Sequence, residues 1–218
     1  MRSGRTPDEV KLLLATKTVT PDNIKIALQA GETLIGENKV QELKTKYDEL
    51  KGIPHKSHFI GHLQSGRIKD VVRYAHCIQS IDRLELAEKL QKRLEFEDKT
   101  MDIFVQVNTS CEASKFGVAP EHALDLVEAI LHLDRLNLKG LMTIGLFSSE
   151  TERVRKCFKL LRDIRERLLD KNPNVKELSM GMSGDLETAI EEGSTIIRVG
   201  TAIFGRRIYP DSYYWNES

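Results

Sequence analysis

The sequence is poor in cysteine, in net charge and in long apolar runs, and each shortage removes a class of protein. Its 218 residues hold three cysteines, Cys77, Cys111 and Cys157, an odd number with no CxxC spacing. That argues against a disulfide framework and against a zinc knuckle. Lys and Arg number 33 and so do Asp and Glu, which leaves a formal charge of zero. A neutral chain has no overall field to draw nucleic acid or an anionic membrane, so binding must come from a local site. No apolar run approaches the roughly 18 residues of a spanning helix. Met1 to Asp8 is polar and lacks the apolar segment of a secretory signal. Low-complexity stretches, internal repeats and linkers are missing too. The expectation is a cytoplasmic protein forming one domain over 1–218.

What is present is alternation. Short apolar runs at 12–16, 33–36, 58–61, 77–81, 102–107, 138–144, 177–181 and 195–200 read as strands buried on both faces. Segments of helical period separate them, among them Val154, Phe158, Leu161, Ile164 and Leu168 before the stop at Asn172-Pro173. Eight strands and seven intervening helices predict an α/β fold, a (β/α)8 barrel of the TIM type with parallel strands. An open doubly wound sheet shares this periodicity and is the alternative.

Chemistry in such a barrel collects where the strands end. The first strand ends in Lys17, either a snorkelling surface amine or an amine at the mouth of a dry pocket. Desolvation would make it a nucleophile toward carbonyl carbon. Gly181-Met182-Ser183-Gly184-Asp185 follows the seventh strand, and Gly200-Thr201-Ala202-Ile203-Phe204-Gly205 follows the eighth. The loops after strands 7 and 8 are the recurring phosphate site of this fold, and Ser183 and Thr201 offer hydroxyls there. Arg198 interrupts the apolar eighth strand. It either answers a ligand's ring nitrogen or phosphate, or forms a salt bridge inside the barrel. His55, His58 and His62 span a loop, a strand and a loop, with no carboxylate or cysteine at ligand spacing, so no metal is expected. Cys77 and Cys157 read as packed residues and Cys111 as a surface thiol.

Leu14-Ala15-Thr16-Lys17-Thr18, Gly36-Glu37-Asn38-Lys39-Val40-Gln41-Glu42, His58-Phe59-Ile60-Gly61, Gly140-Leu141-Met142, Gly181-Met182-Ser183 and Arg198 to Gly205 occur in this order. With them the chain resembles the YggS/PROSC family of pyridoxal-phosphate homeostasis proteins over nearly its whole length. The resemblance implies a barrel like the N-terminal domain of alanine racemase, with pyridoxal 5′-phosphate (PLP) joined to Lys17 as a Schiff base. It places the phosphate on Ser183, Gly200 and Thr201, Arg198 at the pyridine nitrogen, and Asn38 along the ring pocket. A cation at that nitrogen disfavours its protonation and weakens the cofactor as an electron sink.

The racemase tyrosine that faces the lysine belongs to a second domain, and only 13 residues follow Gly205 here. The implied role is therefore a PLP carrier or buffer with little or no turnover and no catalytic residues. Its partners would be apo-enzymes that accept the cofactor, and its oligomeric state a monomer or weak dimer. A PLP-dependent amino-acid racemase is one rival reading. A Schiff-base barrel enzyme acting on a phosphorylated carbonyl metabolite is the other. The family's helix before the first strand is expected to be missing, and no helix is expected after the eighth strand. Tyr213-Tyr214-Trp215 is the expected cover for the wall left bare between strands 8 and 1.

Overall fold

Residues such as Leu12, Leu13 and Leu14 leave a strand no polar face, so it must be covered on both sides. A closed parallel sheet ringed by helices does this. In the computed structural model, which describes residues 4–205, eight parallel strands close into a barrel in sequence order. They are β1 Lys11–Ala15, β2 Leu34–Glu37, β3 Lys56–Phe59, β4 Cys77–Ile81, β5 Met101–Gln106, β6 Leu136–Met142, β7 Glu177–Ser179 and β8 Ile196–Val199. Pairing of Leu13 with Arg198 and Leu14 with Val199 joins β1 to β8 and closes the ring.

The connecting helices are α1 Pro21–Gln29, α2 Val40–Glu49, α3 Ile68–Tyr74, α4 Leu84–Glu97, α5 Ala123–Leu131, α6 Thr151–Leu169 and α7 Leu186–Glu191. Burial along α6 follows the sequence period, with Val154, Phe158, Leu161, Ile164 and Leu168 turned inward. The main core lies between helices and strands, while Leu13, Cys77, Phe104, Met142 and Ile196 fill the barrel itself. Cys77 and Cys157 are buried and Cys111 is exposed.

Before β1 the described residues form a single 3-10 turn, Pro7–Glu9. After β8 the structure corrects the sequence reading. A one-turn helix, α8 Thr201–Phe204, follows the strand, and Phe204 packs on the cluster of Leu14, Ile24, Leu28 and Ile35. One turn is too short to show a 3.6-residue period, so the sequence did not signal it. The cover proposed for Tyr213-Tyr214-Trp215 lies outside the described residues.

Candidate functional site

The strands β7, β8, β1 and β2 are consecutive around the barrel, so their C-terminal ends meet on one rim. The residues singled out from the sequence are the ones these four ends carry. Lys17 follows β1, Asn38 follows β2, Ser183 lies after β7, and Gly200 and Thr201 come directly after β8.

Lys17 is only 7% exposed, so its side chain is buried and the snorkelling alternative is not realised. Its backbone is held from both sides. Thr18 adopts a left-handed φ of 65°, unusual for a β-branched residue, and donates its N–H to Glu42 Oε2 at 2.7 Å. Lys46, buried on α2, donates to the carbonyl of Thr16 at 2.7 Å, to Glu37 Oε1 at 2.7 Å and to Glu42 Oε2 at 2.8 Å. The Thr16 hydroxyl also donates to Glu37 Oε1. Burial pushes the Glu37 carboxyl up to about 7, with Lys46 opposing the rise. Glu37 and Glu42 stand within the Gly36-to-Glu42 motif, while Lys46 lies beyond it. The i,i+4 pair Glu42–Lys46 was the available signal.

The two glycine loops touch. Ser183 Oγ accepts the N–H of Ala202 at 3.3 Å, and Asp185 Oδ1 accepts the N–H of Met182 at 2.6 Å. Burial raises the Asp185 carboxyl. Gly200 runs so close to β1 that a Cβ there would sit 2.9 Å from the Ala15 carbonyl oxygen. Any side chain at this position would press on the backbone that leads into Lys17.

Arg198 is buried inside the barrel. Its Nη1 donates to Ser179 Oγ at 2.9 Å and its Nη2 to the Thr143 carbonyl at 2.8 Å. Ser179 donates onward to Gln79 Oε1 at 2.6 Å, and Gln79 Nε2 lies 2.8 Å from His58 Nδ1. No carboxylate stands within ion-pair distance of Arg198 among the described residues, so the salt-bridge alternative is not realised. Burial lowers the guanidinium to about 10, with Asp185 opposing, and it remains a cation at neutral pH. A buried cation without a carboxylate fits a ligand that brings an electron-rich atom or negative charge of its own. This donor set fits PLP: a buried amine, two touching loops with hydroxyls, and an uncompensated guanidinium.

Asn38 is half-buried, and its carbonyl oxygen lies 1.9 Å from where a Cβ on Gly61 would stand. That contact explains the glycine in His58-Phe59-Ile60-Gly61. The three histidines go separate ways. His55 Nδ1 meets the Ile53 carbonyl, His58 lies inside the barrel, and His62 stacks on Phe116 with centroids 3.7 Å apart. No group of three or more His, Cys, Asp or Glu among the described residues is placed to hold a metal ion.

Comparison with known proteins agrees with this geometry. The family described as alanine racemase, N-terminal domain, matches residues 6–208. A pyridoxal phosphate homeostasis protein of Aquifex aeolicus is 42% identical over 209 residues, covering 95% of this chain and 92% of that one. Among solved structures, PipY of Synechococcus elongatus without PLP superposes with a TM-score of 0.87 at 32% identity, covering 94% of this chain and 96% of that one. PipY with PLP bound gives 0.84 at 31% identity over the same shares of each chain. The chain belongs to the pyridoxal phosphate homeostasis protein family, whose barrel is that of the alanine racemase N-terminal domain.

Proposed function

We propose that this chain binds PLP at the rim formed by β7, β8, β1 and β2 and holds it for release to other proteins, with little or no turnover of its own. When bound, the cofactor supplies an aldehyde that joins reversibly to a primary amine and a ring that draws electrons. Lys17 is the attachment amine on this reading. Ser183, Gly200 and Thr201 bind the phosphate, and Asn38 orients the ring. Arg198 presents its cation to the pyridine nitrogen and keeps a proton off it.

One observation carries the reading. Arg198 is a buried guanidinium with no carboxylate partner among the described residues, and it pairs in register with Leu13 on β1, the strand that leads into Lys17. The binding of PLP by PipY, whose barrel superposes on this one, supports PLP as the ligand. Racemisation needs a second acid/base facing the lysine across the substrate carbon. The tyrosines among the described residues, Tyr47 and Tyr74, line the opposite mouth of the barrel, away from Lys17. The reading also takes the barrel as one PLP-binding domain acting in the cytoplasm, with apo-enzymes as acceptors. No helix among the described residues is long and apolar enough to cross a membrane.

The test is transfer. Protein loaded with PLP and freed of excess cofactor is mixed with an apo-enzyme that needs PLP, and recovery of that enzyme's activity is followed. The reading expects recovery to track the PLP lost from this protein, and no alanine racemisation in the absence of the acceptor. Fast racemisation, or an acceptor that stays inactive, contradicts it.

A further inference from the structure

The mouth at the other end of the barrel, where the strands begin, opens into a cavity of about 1300 Å³. Its charge is lopsided for a chain of zero net charge. Six Lys and Arg residues line it against three carboxylates, and two of those carboxylates, Glu177 and Asp102, are already paired with Lys11 and Lys139. Among the described residues Lys56 and Arg73 have no carboxylate partner, and Arg73 lies over the Tyr74 ring. Apolar side chains, Leu34, Phe104 and Ile196, form part of the lining.

His58 borders this cavity while being 7% exposed. The polarity of its hydrogen bonds is fixed from the far end of the chain. Arg198 can only donate, so Ser179 Oγ accepts from it and turns its own hydrogen to Gln79 Oε1. The Gln79 amide nitrogen then donates to His58 Nδ1. A neutral imidazole that accepts at Nδ1 carries its proton at Nε2. That Nε2–H has no acceptor among the described residues. His76 repeats the arrangement, since its Nδ1 accepts the N–H of Ser57 at 3.1 Å and its ring also borders the cavity. Lys56 stands two residues before His58 on β3, and the His76 N–H donates to the Ser57 carbonyl between them at 2.7 Å, so the three groups border the cavity together.

We infer that this mouth is a second binding site, for a small organic anion such as a phosphorylated or carboxylated ring compound. Its oxygens accept the Nε2–H groups of His58 and His76, its charge is met by Lys56 and Arg73, and its body lies against Phe104 and Leu34. The site sits at the opposite end of the barrel from Lys17 and does not depend on how PLP is held.

Phenyl phosphate is the probe, because it carries a ring and a phosphate but no aldehyde to react with Lys17. Calorimetric titration of the full chain, before and after PLP is fixed on it by borohydride and the excess removed, is expected to show saturable binding in both cases. Binding should also shift the side-chain ¹⁵N signals of His58 and His76. Lys56 and Arg73 are exposed, so Lys56→Glu and Arg73→Glu should leave folding intact, and each should weaken binding about tenfold or more. Loss of binding once PLP is fixed on Lys17 and the excess removed would put the probe at the Lys17 rim and overturn the proposal. So would binding unaffected by either charge reversal, or the absence of saturation. A protein that fails to take up PLP but still binds the probe here would leave this inference standing and sink only the PLP reading.

Discussion

The ammonium group of Lys46 donates to the carbonyl oxygen of Thr16 at 2.7 Å, across 30 residues of sequence and directly before Lys17. A helix that carries no proposed ligand contact thereby sets the backbone position of the proposed attachment amine. Glu42 completes the grip by accepting the N–H of Thr18, so Lys17 is flanked on both sides by bonds to α2.

Lys46→Met should therefore act twice. It leaves Glu37 buried without its cation, a change that costs about 3–5 kcal/mol in comparable buried pairs. It also frees the Thr16 carbonyl, so PLP affinity should fall together with stability. Urea denaturation and PLP titration of the same variant check both. A stability loss under about 1 kcal/mol would show that the cluster is not coupled as described.

The acid side of the stability profile should carry the signature of His58. Burial, with the charges of His76 and Lys56 adding to it, pushes this imidazole down to about 4 from its ordinary 6.5. The unfolded chain therefore binds a proton between these values while the folded chain does not. The contribution of His58 is fully present above pH 6.5 and is lost as pH falls to 4, on the order of 3 kcal/mol. Glu37 runs the other way, since its folded value near 7 exceeds the unfolded 4.5 and its contribution declines as pH rises between them. Denaturation of His58→Gln at several pH values should show a flatter acid limb than the parent chain, and Glu37→Gln a steeper one.

Arg198→Lys keeps the charge but cannot reach both Ser179 Oγ and the Thr143 carbonyl as the planar guanidinium does. PLP binding should weaken about tenfold or more, equivalent to roughly 1.4 kcal/mol. Equal affinity in the variant and the parent would remove Arg198 from the site.

The barrel was legible because parallel strands covered on both faces read as continuous apolar runs, and helices such as α6 keep a clear period. Strand edges were less so. β3 begins at Lys56, two residues before the expected His58, because Lys56 and Ser57 are polar positions that the backbone ladder includes and apolarity cannot mark. It also ends at Phe59, since Ile60-Gly61 turns past the Asn38 carbonyl. Lys17, Asn38, Ser183, Arg198, Gly200 and Thr201 were readable as strand-end and motif positions. The path Arg198–Ser179–Gln79–His58 was not, because its members lie on four strands as much as 140 residues apart and meet only once the barrel closes. Their shared inward parity was the one trace the sequence held.

Gly61→Ala tests how tightly the Asn38 loop is set. A methyl group there would lie 1.9 Å from the Asn38 carbonyl oxygen, and backbone cannot yield as a side-chain tip can. The expected loss is about 3 kcal/mol or more, at the upper end of overpacking effects. Thermal unfolding measures it, and an unchanged melting temperature would contradict the packing described.

The most direct measurement concerns Lys17. Purified protein incubated with PLP is treated with borohydride, digested and mapped by mass spectrometry, with Lys17→Ala alongside. The account predicts a visible absorbance band that borohydride bleaches and a pyridoxyl group recovered on the peptide containing Lys17. A colourless, unmodified chain, or a label on another lysine that persists in Lys17→Ala, would contradict it.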